Sequence, residues 1–141
     1  LRVLSFAGLV QKEAGSVEDF YKVARVFQNR LDIDMHLQSD ASVAYGTGRT
    51  TSINTTQAER DDASNLYNTY ANAGLPVGPI SAPGDEAIKA VLSPAEGTWL
   101  FFVLVNGETG ETRFSTTIEE HDAAVEEWGD WLRANPDFNV H

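Results

Sequence analysis

The chain has 141 residues, a hydrophobic content of 42%, a net charge of −11 and no cysteine. That length suits a single domain with one core. The missing cysteines exclude disulfide frameworks and thiolate metal sites, and the acidic balance excludes nucleic-acid binding, which needs a basic stripe.

The longest apolar run, residues 99–105, is seven residues long, against the roughly 20 that cross a bilayer. The chain opens without Met, and its first helical pattern is already under way at Leu1. A longer parent protein is therefore expected, with any membrane anchor preceding this stretch.

The first predicted element is a helix ending near Gly15. Val3, Phe6, Val10 and Glu13 are spaced 3, 4 and 3 apart, the repeat of one helical face, and Leu9 lies one turn from Glu13. Glu13 thus points where the core points. A carboxyl group held against Phe6, Leu9 and Val10 loses hydration, and the negative end of the helix dipole acts in the same direction, so its pKa is expected to rise. A general acid working near neutral pH needs this environment. The alternative is an ordinary helix-end glutamate, half exposed and paired with Lys12 or Arg2.

Ser16-Val17-Glu18-Asp19 reads as a capping-box variant opening a second helix, whose apolar face is Phe20, Val23, Ala24, Phe27 and Leu31. Asn29 and Arg30 point elsewhere and are expected to tie this helix to a neighbouring loop. From Leu37 the pattern turns to period two, which predicts a strand or extended segment ending at Gly46-Thr47-Gly48. Its polar side suits either a groove wall or the wet face of an edge strand. Residues 49–64 read as a polar loop with room for one short helix.

Residues 74–84 hold three prolines and three glycines, which excludes a regular helix or central strand and predicts a stiff, shaped loop. The tyrosines before it, Tyr67 and Tyr70, suit either stacking on a ligand or packing of the loop onto the core. A short helix is expected over Asp85–Leu92, and residues 99–105 are predicted to form a buried central strand paired with residues 111–115. Thr117-Ile118-Glu119-Glu120 is a capping box opening a last helix with His121, Val125, Trp128 and Leu132 in register. No second ligand lies at metal spacing from His121, so it reads as a satisfied structural histidine, and no metal is expected. The fold class predicted is α+β: one domain over residues 1–141 with an N-terminal helix pair, a small sheet including the 99–115 hairpin, a Pro/Gly-rich groove loop and a C-terminal helix.

Common nucleophile, zinc and phosphate-loop motifs are absent from the sequence. Several separated segments instead resemble the MltG-type (YceG-like) endolytic murein transglycosylases. Leu9-Val10-Gln11-Lys12-Glu13 is similar to the end of that family's S-I-V-E-K-E, with Gln11 for the first glutamate. Residues 24–31 match A-R-V-F-I-N-R-L with Gln28 for Ile, and residues 37–46 match L-Q-T-D-P-T-V-I-Y-G with Ala41 for Pro. Tyr67-Asn68-Thr69-Tyr70, the Pro/Gly loop, Phe114-Ser115-Thr116-Thr117 and Glu120-His121 also correspond.

The resemblance implies an α+β catalytic domain that cleaves the MurNAc-β-1,4-GlcNAc bond inside peptidoglycan strands and leaves 1,6-anhydro ends, without a cofactor. It implies Glu13 as the single acid and then base. Gln38, Asp40, Tyr45, Asn68 and Tyr70 are candidates for holding the glycan. Asp40 as a second carboxylate would make the enzyme a hydrolase, and a non-catalytic glycan-binding module would not need Glu13. The family's members are anchored in the cytoplasmic membrane with this domain outside, near cell-wall synthases, which implies the same location and partners here.

Overall fold

Phe6, Ala7, Leu9 and Val10 on one helix and Phe20, Val23, Ala24 and Phe27 on the next are all buried, so the two apolar faces read from the sequence close on one another. In the computed structural model, which describes residues 1–48 and 55–138, these helices are α1 (Arg2–Glu13) and α2 (Val17–Asp32). They are followed by α3 (Asp40–Gly46), α4 (Gln57–Asp61), α5 (Asp85–Leu92), β1 (Phe101–Asn106), β2 (Glu111–Ser115) and α6 (Ile118–Ala134). The architecture is a single α+β domain. Ala87 and Ala90 are fully buried, and these small side chains let α5 lie against both α1 and α2. Leu37, Ala41 and Ile80 complete the core cluster.

Three elements differ from expectation. Residues 40–46 are helical, not extended. Ser39 accepts the Ser42 N–H at 3.2 Å as an N-cap, and among the described residues no strand lies alongside for residues 37–46 to pair with. The local cap therefore outweighs the period-two pattern. The strand over residues 99–105 is not a central one: β1 and β2 form a two-stranded antiparallel hairpin, half-buried from Phe101 to Leu104. Its unbroken apolar run arises because α6 and α2 both pack against β1. In α6 His121, Trp128 and Leu132 are partly buried as the spacing predicts, but the fully buried position is Ala124, while Val125 is 44% exposed.

The caps explain where the remaining helices begin. Thr117 and Glu120 form the reciprocal capping box of α6, and Thr56 with Glu59 forms one for α4. Ser16 starts α2 by backbone geometry alone, without a side-chain bond. Helix α1 ends at Glu13, two residues before Gly15, with Ala14 extended at φ −80° and ψ 132°. Glu13 is therefore the last helical residue. Part of the predicted 49–64 loop lies outside the described residues.

The Pro/Gly loop is fastened to α1. Ser81 Oγ donates to the Gly8 carbonyl at 2.8 Å, and a Cβ on Gly8 would stand 3.0 Å from the Ser81 carbonyl oxygen. Gln11 accepts the backbone N–H of Gly84, the residue that opens α5, at 3.0 Å. No helix among the described residues is long and apolar enough to cross a membrane.

Candidate functional site

At the end of α1, Glu13 meets the start of α3. Ser39 Oγ donates to Glu13 Oε1 at 2.5 Å, and the Ala41 amide also faces the carboxylate. Burial raises the Glu13 pKa above its ordinary 4.5. The Ser39 bond opposes this, Asp40 adds to it, and Arg30 and the Ala41 amide oppose it, with a net rise. The expected environment is present, with the difference that the helix start of α3 partly offsets the desolvation.

Glu13 forms one wall of a cleft of about 240 Å³. Helix α2 contributes Phe27 and Arg30, the segment before α3 contributes Leu37, Gln38 and Ser39, and Tyr70, Phe102 and His121 close the remaining sides. Among the lining residues Glu13 is the one carboxylate. A second hollow of about 130 Å³ lies beyond it, lined by Ala14, Asp19, Leu104 and Thr112 among others, and it shares Glu13 and Phe102 with the first.

Arg30 is only 7% exposed and is held by carbonyls: Nε donates to Leu100 at 2.7 Å and Nη1 to Leu37 at 2.8 Å. Asn29 donates to the carbonyls of Gly97 at 3.2 Å and Trp99 at 2.9 Å. Both residues tie α2 to the strand entry, as the sequence suggested, and Arg30 in addition puts a cation at the cleft. Gln38 adopts φ 56°, a left-handed conformation that costs an L side chain roughly 1–2 kcal/mol. Its backbone N–H reaches the Thr69 carbonyl at 3.2 Å, and the residue lines the cleft.

Of the predicted site residues, Glu13, Gln38 and Tyr70 share this cleft. Asp40 accepts from Thr55 Oγ1 at 2.6 Å, pairs with Arg60 at 3.4 Å and lies near enough to Tyr70 for its charge to act on the phenol. Burial, then the Asp40 charge, push Tyr70 up to about 12, so its phenol is neutral at neutral pH. Tyr45 is 47% exposed and packs its ring on Tyr67 at 4.8 Å, away from the cleft lining. Asn68 is fully buried. Its amide donates to the carbonyls of Glu59, Arg60 and Asp62, and its Oδ1 accepts from the N–H groups of Tyr70 and Ala71.

Two cleft residues differ from the sequence reading. Ser39 was hidden by the strand assignment, which treated it as one position in a period-two row. The signal that reveals it is a serine directly preceding an acidic residue, Asp40, which suits an N-cap followed by the first turn of a helix. His121 is not a satisfied histidine: its Nδ1 is buried without a hydrogen-bond partner among the described residues, and its ring stacks on Phe101 at 5.0 Å. Burial, reinforced by the Arg30 charge, holds its pKa below 6.5, so it faces the cleft as a neutral imidazole. Among the described residues no three His, Cys, Asp or Glu side chains converge as metal ligands.

The sequence profile of the YceG-like family matches residues 1–127. An endolytic murein transglycosylase of Bacillus subtilis (strain 168) is 36% identical over 128 residues, covering 90% of this chain and 34% of that protein. One from Streptococcus pneumoniae serotype 2 (strain D39) is 34% identical over 128 residues, covering 89% of this chain and 23% of its own length. The chain thus spans about a third of the one relative and about a quarter of the other. The crystal structure of a YceG-like protein from Listeria monocytogenes superposes with a TM-score of 0.74 at 40% identity, over 84% of this chain and 38% of that one. The chain belongs to the YceG-like family.

Proposed function

We propose that this domain is an endolytic peptidoglycan lytic transglycosylase that cleaves the MurNAc-β-1,4-GlcNAc bond within glycan strands and leaves 1,6-anhydro-MurNAc ends. The observation that carries the reading is Glu13: a single carboxyl on the wall of an open cleft, raised in pKa by burial and held by Ser39. The B. subtilis and S. pneumoniae relatives, both endolytic murein transglycosylases, support it.

Glycosidases ordinarily use two carboxylates, and Asp40 is engaged by Thr55 and Arg60 outside the cleft lining. One carboxyl is enough if the substrate supplies its own nucleophile. Protonated Glu13 donates to the glycosidic oxygen as the C–O bond breaks and oxocarbenium character develops at the anomeric carbon. The resulting carboxylate then accepts the proton of the muramyl 6-hydroxyl as that oxygen closes onto the same carbon. Water is not consumed, and the attacking hydroxyl acts at the high effective concentration of an intramolecular reaction.

Gln38, the neutral Tyr70 hydroxyl and His121 would hold the sugars at the cleft, and Tyr45 would extend the outer wall through its contact with Tyr67. Asn68 contributes by holding the Tyr70 loop in shape. Peptidoglycan lies outside the cytoplasmic membrane, so the domain works on the extracytoplasmic side. Anchoring of the full-length protein in that membrane, and work beside the synthases that make new strands, belong to the same proposal.

The test is mass spectrometry of uncrosslinked glycan strands incubated with wild type and with Glu13→Gln. Internal fragments with anhydro-muramyl ends, one water lighter than reducing ends and absent with the variant, are expected. Reducing ends would indicate hydrolysis and return attention to Asp40. Strand binding by both proteins without cleavage would favour a binding module or a domain that needs the rest of the full-length protein to act.

A further inference from the structure

The Ser39 hydroxyl has one hydrogen and two lone pairs, and its surroundings fix where that hydrogen goes. The Ser42 N–H points at Ser39 Oγ from 3.2 Å and occupies a lone pair. The neighbouring hydroxyls are committed in turn. Ser42 Oγ donates to the Ser39 carbonyl at 2.8 Å, so at its 2.8 Å contact with Thr69 Oγ1 it accepts and Thr69 donates. Thr69 Oγ1 then accepts the Ser39 N–H at 2.8 Å. Each donor in this ring has one acceptor, and the acceptor left for the Ser39 hydrogen is Glu13 Oε1 at 2.5 Å.

A carboxyl oxygen that accepts so short a bond has no room for a hydrogen of its own along that line. We infer that Ser39 is a positioning residue that fixes the acidic proton of Glu13 on Oε2, so that one oxygen delivers the proton to the leaving group and later recovers one from the attacking hydroxyl. This rests on the reading of Glu13 as the acid. The balance is simple: an O–H bond at Oε2 breaks as the leaving oxygen gains hydrogen, and an O–H bond at Oε2 re-forms as the sugar hydroxyl loses its own, while Ser39 keeps its proton throughout. Sequence spacing alone gives no reason to expect this role, because it depends on the N-cap of α3 and the end of α1 meeting at one hydroxyl.

The test compares Ser39→Ala, Ser39→Thr and Glu13→Gln in the same chain, with two readouts. One is kcat and KM on uncrosslinked strands across pH. The other is the titration of the Glu13 carboxyl itself, followed by ¹³C NMR of glutamate-labelled protein and assigned through Glu13→Gln. The groups that face Glu13 are Arg30 from α2, Asp40 from α3, Asp19 in the second hollow, and Tyr70 and His121 across the cleft. All of them remain in the Ser39 variants.

Ser39→Ala should raise the Glu13 titration midpoint and lower kcat by about 10- to 100-fold, the scale of a misplaced reacting group, with KM changed little. Ser39→Thr should restore both. A lower melting temperature with midpoint and kcat unchanged would overturn the inference and leave Ser39 as a helix cap alone. Turnover by Glu13→Gln would instead overturn the acid role of Glu13, and this inference with it. The NMR midpoint still decides the Ser39–Glu13 coupling if the chain turns over slowly.

Discussion

The guanidinium of Arg60 stands 5.2 Å from the ring centroid of Tyr70. The same side chain pairs with Asp40 at 3.4 Å and accepts its place from Thr55, to which Nε donates at 2.7 Å. Tyr70 is thus set in the cleft by a cation on its face and a carboxylate near its phenol. Arg60→Ala should raise KM for glycan strands several-fold with kcat little changed. Because the pair is partly solvated, stability should fall by no more than about 1 kcal/mol. Arg60→Lys should recover part of the affinity, since an ammonium keeps the charge but lacks the planar fork. Steady-state kinetics and thermal melts on the two variants check this.

Glu13 couples stability to pH with a definite sign. Its pKa in the folded chain lies above the ordinary 4.5, so the fold holds this proton more tightly than the unfolded chain does. The stabilisation is complete below the ordinary value and is lost as pH rises through the raised one. Above the raised value the ionised, desolvated carboxylate therefore weighs against folding. Glu13→Gln, which keeps an acceptor for Ser39, is expected to melt above wild type at pH values above the raised one, the difference vanishing as pH falls below the ordinary value. Wild-type cleavage should decline over the same rising limb, because the acid form is being titrated away. Melting curves and initial rates collected at matched pH values test both halves.

Replacing His121 by Phe separates packing from binding. The buried Nδ1 has no partner among the described residues, and substituting an unsatisfied buried polar atom by an apolar ring of similar shape removes a desolvation cost of about 1 kcal/mol or more. The ring stacks on Phe101, a contact Phe can keep. His121→Phe is therefore expected to melt higher than wild type while binding glycan more weakly. A variant that melts lower, or binds as well, would remove His121 from the cleft's polar inventory.

The contact of α1 with the Pro/Gly loop is tight at Gly8, where a Cβ would lie 3.0 Å from the Ser81 carbonyl and 3.3 Å from Pro79 Cβ, so the loop would have to yield even to a methyl group. Gly8→Val forces the loop outward or the helix aside, at a cost of about 1–3 kcal/mol. Denaturant titration should show the lower midpoint. Glycan cleavage per folded molecule should also fall, because Glu13 lies on the same helix as Gly8.

Helices were legible wherever their signals were local. The Phe6 to Val10 stripe, the Gly84 and Thr117 starts and the loop composition of residues 74–84 each state their own structure. The extended reading of residues 37–46 failed because its period-two pattern did not reflect burial: Ala41, Ser42, Val43 and Ala44 are buried in succession, and the Ser39 cap decides for helix. Glu13 was legible because an acidic residue closing an apolar stripe is a local anomaly. Ser39, Arg30 and His121 were not readable as a cleft, since each comes from a different element and only tertiary packing brings them together. Asn68 was named for its likeness to a glycan contact, whereas its burial follows from carbonyls supplied by Glu59, Arg60 and Asp62, which no spacing rule anticipates.

Asn68 has a consequence for how this surface breathes. The segment carrying Tyr70 belongs to no helix or strand, and such a stretch would ordinarily trade its amide hydrogens with solvent within moments. Here the N–H groups of Tyr70 and Ala71 end on a side-chain oxygen whose own amide is anchored to three carbonyls, so releasing them means undoing the whole knot. In deuterium exchange these two amides should be as slow as those of a packed helix. A wall of the cleft made from irregular chain would thus open only with the domain as a unit, and a long glycan would meet it already shaped.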